Sequence, residues 1–437
     1  MVHSSSWIYL HIIIRYDFYL QSREIIWFVI TMEDQKPLVI YVPGLYSSTL
    51  APTEKGGVLG CIRDKWNPPS SVLVTLLKGN RGHSGLSLPL TWSKDESKGI
   101  YVQDKDDIEP QDCLKSVHSE FFQFLETLNT NGLIELHTII WDWRRSFEEA
   151  ENKISSTIET ICSTNKRKAI LITHSTGAML SWPTINEHPE WFNSWVNAAG
   201  CFLFTNNSFL AEFERGWSQT SVSVICKEAF FSFPGLYSYF AVKEEDFVGE
   251  GQSDFVSPDG SSFYTRDEID LQNVETWETF KLGIFSWKKS AVTEQEREHL
   301  KHCLEASKRY RTKHLLKDGK IHDPSFLDKD LSSYDHLDIV CYGTDSKQTH
   351  SSYAVNMEDK TIDTSNSLLK TTGDGTLMSQ NWKTVPGGLK STIVMAEEGS
   401  NHVRLLNDKK LRELLLKTFF SKDELKKVAA VSLLEGK

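Results

Sequence analysis

Short runs of aliphatic and β-branched residues recur along the chain and are typical of buried strands. The first run, LVIYV, ends at Pro43-Gly44, and another, AILIT, ends immediately before a polar turn. Proline and glycine stop a strand and favour a tight loop, so each run has a defined end. The runs predict strands at residues 38–42, 136–141, 169–173, 338–342 and 391–395.

Apolar residues at helical spacing occupy several of the segments between these runs. Residues 114–128 carry apolar side chains three and four positions apart, which predicts a helix. Ser146 followed by Glu149 forms a capping-box pattern that predicts the start of a second helix. Further helices are predicted at residues 293–310 and 409–420. Strands that alternate with helices predict a mostly parallel central sheet covered on both faces, which is the α/β class.

The alternation is interrupted twice, and each interruption predicts an insertion into the sheet. Residues 46–112 are rich in glycine, proline and lysine and predict a lid-like insertion, whereas residues 206–335 contain aromatic and charged segments and predict a cap. The predicted organisation is an extension at residues 1–32, a first core part at 33–205, the cap at 206–335, a second core part at 336–420 and a tail at 421–437.

Composition and charge exclude several classes of function. The chain has 437 residues and a formal charge of −11, so it lacks the broad basic surface of a nucleic-acid-binding protein. Its best apolar run, residues 7–14, is followed at once by Arg15, which argues against a membrane-spanning helix. The seven cysteines form no CxxC pair, so neither a zinc cluster nor a disulfide framework is predicted. The sequon at residues 206–208 leaves the compartment open.

The first 32 residues are predicted to be a poorly defined extension of the globular protein. No lysine or arginine precedes their first apolar run, and His11 interrupts it, so the pattern of a signal peptide is incomplete. A cytoplasmic or peripheral membrane location is therefore favoured on the sequence alone.

Ser175 is the candidate nucleophile. It follows the predicted strand AILIT in the sequence Thr173-His174-Ser175-Thr176-Gly177 and precedes a helical segment. A serine at a sharp strand-to-helix turn exposes its Oγ beside the positive end of the helix dipole. Gly177 satisfies the need for a small residue two positions after the serine. Thr173 does not satisfy the same need two positions before it, so we expect Thr173→Gly to be tolerated.

Asp374 and His402 are the candidate partners of Ser175. A serine hydroxyl needs a general base, and an acid and a histidine follow the serine in chain order when it lies at this kind of turn. Asp374 lies in a GDG sequence, and His402 is the last histidine of the chain and follows a predicted strand. A solvated histidine and an ordinary Asp-Gly turn are the alternatives for each residue alone, but their order behind Ser175 favours a joint catalytic role.

Two backbone amides complete the candidate site. Leu45 follows Pro43-Gly44 at the end of the first predicted strand, and Thr176 follows the nucleophile. Their N–H groups are predicted to form an oxyanion hole, although a plain Pro-Gly turn would have the same sequence at the first position.

The order of these motifs resembles the lecithin:cholesterol acyltransferase family, which includes phospholipid:diacylglycerol acyltransferases and lysosomal phospholipase A2 enzymes. The resemblance spans residues 38–420 and rests on VPGLYSS, the WDWRRS segment, THSTG, FPGLY, GDGT and the final His402. It implies an α/β-hydrolase fold with inserted cap and lid segments. It also implies that Ser175 is acylated, that Asp374 and His402 assist it, and that Leu45 and Thr176 donate to the oxyanion.

The resemblance extends to the structural segments and has limits. Asp142 and Arg144 match the family's DWR segment and are expected to form a buried structural pair. Residues 199–202 differ from the Gly-Thr/Ser-Pro loop of many members, and the lid-like insertion matches poorly. The resemblance leaves a secreted or lysosomal location as alternatives to the cytoplasmic one.

The expected function is serine-dependent transfer of a fatty acyl group from a lipid ester to an alcohol or to water. Phospholipid at a membrane or lipid surface is the favoured substrate, and no cofactor, metal ion, nucleic acid or protein partner is expected. The alternative is a catalytically silent lipid-binding or scaffold protein that keeps the fold. Residue Thr173 is its best support, because a bulky side chain there could tilt the turn. The aromatic segment at residues 230–240 is interpreted as core packing rather than as a lipid site.

Overall fold

A six-stranded parallel sheet carries the candidate site at its carboxyl edge. The computed structural model describes residues 36–52, 86–202, 208–219, 222–242, 254–316 and 327–425. The predicted extension at residues 1–32, most of the glycosylation sequon, Cys61, part of the lid-like insertion and most of the tail lie outside these described residues.

The strands are β1 (Leu38–Val42), β2 (Ser48–Pro52), β3 (Trp92–Asp95), β4 (Ile100–Gln103), β5 (Ile108–Cys113), β6 (Glu135–Thr138), β7 (Ala169–His174), β8 (Phe192–Ala198), β9 (Trp217–Gln219), β10 (Val222–Ile225), β11 (Phe255–Val256), β12 (Phe263–Tyr264), β13 (Asp338–Gly343), β14 (Lys347–Asn356), β15 (Thr361–Gly373) and β16 (Thr392–Met395). The α-helices are α1 (Ser119–Thr130), α2 (Phe147–Asn165), α3 (Thr176–Glu187), α4 (Ser208–Arg215), α5 (Lys227–Phe231), α6 (Pro234–Tyr237), α7 (Val274–Thr279), α8 (Ile284–Trp287), α9 (Glu294–His314), α10 (Ser379–Lys383) and α11 (Lys409–Phe419).

The central sheet has the strand order β16-β13-β8-β7-β1-β6, with every neighbouring pair parallel. Strands β1 and β7 are buried along their whole length, as expected when helices cover both faces of a parallel sheet. This order, with Ser175 between β7 and α3 at the middle of the sheet, is an α/β-hydrolase fold. The predicted fold class is therefore confirmed.

The predicted strands and helices of the core are present with shifted boundaries, but strand β8 of the central sheet and the hairpin of β14 and β15 in the second core part were not predicted. Strand β8 was not predicted, because its sequence FNSWVNA interleaves asparagine and serine with apolar residues although most of it is buried. Strand β6 ends at Thr138 rather than at residue 141, because the chain leaves the sheet and the Trp141 N–H donates to Ser48 Oγ (3.3 Å). The first helix begins only at Ser119, since β5 and a turn occupy the preceding residues.

Strand pairing connects the predicted cap with the second core part. The hairpin of β14 and β15 lies outside the central sheet and forms a four-stranded sheet in the order β12-β11-β14-β15. The cap strand β11 runs parallel to β14, with Phe255 opposite Tyr353. The long helix α9 connects the same region to the core, since Tyr310 Oη donates to the Met179 carbonyl in α3 (2.9 Å). The described residues contain no helix that is both long enough and apolar enough to cross a lipid bilayer.

Arg144 fixes the inserted segment to the core. Its guanidinium is fully buried and donates to both oxygens of Asp142 and of Asp106. It also donates to the carbonyls of Leu86 and Ile108 (each 3.2 Å). The expected buried pair of Asp142 and Arg144 is thus present, and it extends to a second carboxylate on the insertion.

Breaking this buried network should cost far more stability than breaking an exposed ion pair. Arg144→Lys keeps one positive charge but loses the planar fork that reaches six acceptor atoms. We expect it to lower the free energy of unfolding by about 3–5 kcal/mol. Arg297→Lys is the matched control, because Arg297 makes a two-pronged contact with Glu278 at the surface and should cost at most about 1 kcal/mol. Denaturant unfolding of both variants measures the difference, and equal small losses would contradict the role of Arg144.

Candidate active site

Ser175 has a strained backbone at the turn between β7 and α3. Its φ is 53° and its ψ is −125°, a combination that L-residues rarely adopt. The neighbouring chain comes so close that only glycine fits on two sides. A Cβ at residue 177 would lie 2.3 Å from the Val42 carbonyl oxygen, and one at residue 44 would lie 2.8 Å from Ser175 Cβ. The turn therefore holds Ser175 against the Pro43-Gly44 loop.

Thr173 has a specific partner on the neighbouring strand. Its side chain is fully buried, and its Oγ1 accepts a hydrogen bond from Trp195 Nε1–H (2.9 Å). A glycine at this position would leave the indole N–H of Trp195 without that acceptor in the core, which carries a free-energy cost. Thr173→Gly therefore has a stability cost that the sequence did not reveal. The threonine is part of the packing between β7 and β8.

Ser175, His402 and Asp374 form a continuous hydrogen-bonded chain. His402 Nε2 lies 3.0 Å from Ser175 Oγ, and His402 Nδ1 lies 2.7 Å from Asp374 Oδ2. With the Nδ1 proton directed at the carboxylate, Nε2 is free to accept the serine proton. All three side chains are buried, and Asp374 has no exposed surface. The structure thus brings the three residues predicted from chain order into contact.

Backbone groups hold Asp374 in place. Its Oδ1 accepts hydrogen bonds from the amides of Thr376 (2.9 Å) and Leu377 (2.7 Å), while Oδ2 faces His402. Gly375, which lies between Asp374 and Thr376, has a φ of 91°, a left-handed conformation that glycine adopts without strain. The GDG sequence therefore serves to fold the chain back so that both amides reach the carboxylate.

The two residues predicted to form the oxyanion hole lie at the same edge of the sheet. Thr176 is the first residue of α3, and the first N–H groups of a helix have no acceptor within the helix. Leu45 follows Gly44, whose close approach to Ser175 brings this loop beside the serine. Tyr46, the next residue, has a φ of 61°, so the loop turns sharply at this point.

The cap contacts the site through Tyr239. Its hydroxyl hydrogen-bonds with Thr176 Oγ1, and its ring stacks on Phe209 with centroids 4.4 Å apart. The aromatic segment from Phe230 to Phe240 is buried throughout, as the interpretation as core packing requires.

Glu212 is a charged residue that the sequence did not single out. Burial raises the pKa of its carboxyl to about 8, so the acid is mostly protonated at neutral pH. Its Oε2 has no hydrogen-bond partner among the described residues. It lies close enough to Tyr46 and Tyr239 to raise the pKa of each phenol further beyond the effect of burial. A single glutamate in a helix is not distinctive, so the sequence did not indicate that Glu212 is buried beside these residues.

Two histidines beside His402 were also not predicted as part of the site. His174 lies next to Ser175 in the chain, and His118 precedes α1; both are almost completely buried. Burial lowers the pKa of His118 to about 4 and that of His174 well below its usual value, and the proximity of His402 contributes to both shifts. Both rings are therefore neutral at physiological pH.

The chain matches a known family in the region around Ser175. The family model for lecithin:cholesterol acyltransferase matches residues 106–204, which include the DWR segment, Ser175 and strands β6 to β8. The resemblance to this family is confirmed over these residues. No curated protein matches the chain.

The departure from the family at residues 199–202 begins with Ala199, whose φ is 50° and whose N–H donates to the Tyr342 carbonyl (2.8 Å).

The similar solved structures include a protein complex, a lipase and a carboxylesterase, and the overall similarity of each to this chain is low. The Tle4-Tli4 complex matches with a TM-score of 0.48 and 11% identity, covering 86% of this chain and 96% of that chain. Lipase BlEst2 of Bacillus licheniformis has a TM-score of 0.37 and 8% identity, covering 88% and 93%. Carboxylesterase CesB of Bacillus subtilis has a TM-score of 0.31 and 7% identity, covering 88% and 84%. The fold assignment rests on the strand order and the turn at Ser175, not on these scores.

The hydrogen bond between Thr173 and Trp195 should appear as coupling in a double-mutant cycle. Thr173→Val and Trp195→Phe each remove one partner, and either change alone leaves the other group unpaired in the core. We expect the double variant to be more stable than the sum of the single losses predicts, by about 1 kcal/mol. Urea unfolding of the four proteins provides the test. Additive losses would show that the contact does not stabilise the fold.

His402 and Asp374 should behave as one unit with Ser175. We expect His402→Ala and Asp374→Asn each to lower ester turnover by about 10³-fold or more, and the double variant to be little worse than the worse single variant, because each loss disables the same proton transfer. Steady-state kinetics on a soluble ester measure this. Losses that multiply in the double variant would contradict a shared role.

Proposed function

We propose that the protein is a serine-dependent acyl-transfer enzyme that acts on a lipid ester through an acyl-Ser175 intermediate. The observation that carries the proposal is the hydrogen-bonded chain from Ser175 Oγ through His402 to buried Asp374. The family match over residues 106–204 supports an ester-acting enzyme of the hydrolase or acyltransferase type.

In the first half-reaction, His402 takes the proton of Ser175 as Oγ attacks the ester carbonyl. Asp374 keeps the Nδ1 proton directed away from the serine and stabilises the imidazolium that forms. The amides of Leu45 and Thr176 hold the oxyanion of the tetrahedral intermediate. When the intermediate collapses, His402 returns the proton to the leaving alcohol, which is a lysolipid if the donor is a phospholipid.

In the second half-reaction, an acceptor attacks the acyl-serine. His402 takes the proton of the attacking alcohol or water and returns it to Ser175 Oγ as the acyl–Oγ bond breaks, so that an alcohol yields a new ester and water yields a free fatty acid. Transferase and phospholipase thus share every chemical step and differ in the acceptor that reaches Ser175. No step calls for a metal ion or a cofactor.

The second candidate is a lipid-binding or scaffold protein without turnover. Its best support in the sequence was the bulky Thr173, which could have tilted the turn. The hydrogen bond from Trp195 gives that side chain a packing role instead. The distances among the three polar side chains favour an active enzyme.

The test is product formation from phospholipid vesicles with and without a long-chain alcohol. We expect the wild-type protein to release lysolipid in both cases and to form an alcohol ester or free fatty acid in matching amount. Ser175→Ala should abolish both products, and Ser181→Ala, a change at a serine within α3, serves as the matched control. Lysolipid release that persists in Ser175→Ala, or binding of vesicles by the wild type without any product, would overturn the proposal.

A further inference from the structure

Two buried histidines face the backbone at His402 and Val403. His174 Nε2 lies 3.3 Å from the carbonyl oxygen of His402, and the ring must donate because a carbonyl can only accept. The ring of His118 faces the backbone of Val403, the next residue, and this proximity raises its pKa against the effect of burial. In both rings Nδ1 has no partner among the described residues, so Nε2 is the nitrogen that is left to donate.

The backbone of His402 is therefore fixed on both sides. Its own N–H donates to the Asp374 carbonyl (3.0 Å) and its carbonyl accepts from His174, while the ring of His118 faces the backbone of the next residue. The three rings form a row, with centroids 5.2 Å apart between His118 and His174 and 5.1 Å apart between His174 and His402. The peptide groups on both sides of the general base are thus held by partners inside the protein.

The row connects parts of the chain that are distant in sequence. His174 is the residue before Ser175, so one segment carries both the nucleophile and a contact to the base 228 positions later. His118 lies at the start of α1, after the lid-like insertion. The position of His402 relative to Ser175 consequently depends on contacts from three separate segments.

Uncharged donors suit this position better than charged ones. His402 becomes an imidazolium when it accepts the serine proton, and a permanent positive charge on a ring 5.1 Å away would oppose that step. Asp374 is the charged group that faces His402 from its other side. A lysine or arginine in place of either buried histidine would supply an N–H but would also repel the imidazolium.

We propose that His118 and His174 are positioning residues that hold the backbone of His402 so that its imidazole stays directed at Ser175. The proposal rests on the proposed function, because it gives these residues a role only if His402 acts as the general base. In this proposal neither histidine contacts the substrate. Their effect is on the geometry of proton transfer and therefore on kcat rather than on KM.

The experiment compares variants that keep or remove the N–H donor. Glutamine places an amide N–H near the position of histidine Nε2, whereas methionine has similar length and no donor. We expect His174→Met and His118→Met to lower kcat by about 10- to 100-fold with little change in KM, since small misplacements of a catalytic group cost about this much. His174→Gln and His118→Gln should recover most of the loss. His299→Met is the control for a buried-histidine change outside the row, because His299 is buried and its Nε2 lies 3.0 Å from the Phe231 carbonyl oxygen.

A spectroscopic readout separates positioning from general destabilisation. The proton shared by His402 Nδ1 and Asp374 should give a low-field proton resonance, and we expect the methionine variants to shift or broaden it at temperatures where thermal unfolding shows them folded. If His174→Met does not fold, His118→Met carries the same test. Folded methionine variants with wild-type kcat and an unchanged resonance would overturn the inference, as would an equal loss in the glutamine and methionine variants.

Labelling of Ser175 with a fluorophosphonate probe distinguishes failure of the proposed function from failure of this inference alone. Failure of the wild-type protein to react at Ser175 would overturn the proposed function and with it this inference. Normal labelling of the wild type together with equally fast labelling of the folded methionine variants would overturn the inference alone.

Discussion

The steric constraint at Ser175 determines how the rest of the site is built. A residue with φ of 53° and ψ of −125° persists only where its surroundings leave no alternative. Here the Ser175 N–H is held by the Ala198 carbonyl (3.0 Å), and the contacts at residues 44 and 177 leave no room for a side chain. Strand β1, strand β8 and helix α3 therefore all have to be in place before the serine points toward His402.

His402 reaches this serine from a loop that has little regular structure of its own. Its position is set by its own N–H, which donates to the Asp374 carbonyl, by His174, which donates to its carbonyl, and by the Asp374 carboxylate, which accepts a hydrogen bond from its Nδ1. Buried polar groups of this kind are stabilising only when each finds a partner. These contacts give the loop a fixed conformation, although its sequence has no pattern of a helix or strand. They therefore couple the two parts of the core.

The sequence pointed to the candidate site because its residues lie at strand ends and turns, where local pattern is informative. Ser175 follows an apolar run, Asp374 lies between glycines and His402 follows the last strand, so chain order and these positions together pointed to all three. Strand β8 was missed because its polar residues hide the burial of the strand. The surroundings of His118 and Glu212 were missed because tertiary packing, and no local pattern, brings these side chains to the site. The partner of Thr173 was missed for the same reason, since Trp195 lies on the neighbouring strand.

Intact-mass measurement of the protein after brief mixing with phospholipid vesicles tests the central claim, that Ser175 carries the acyl group, most directly. We expect a transient mass increase equal to one fatty acyl chain, located on the peptide that contains Ser175 and accumulating when acceptor attack is slowed. Lysolipid formation without any acylated protein, or an acyl group attached to another residue, would contradict it.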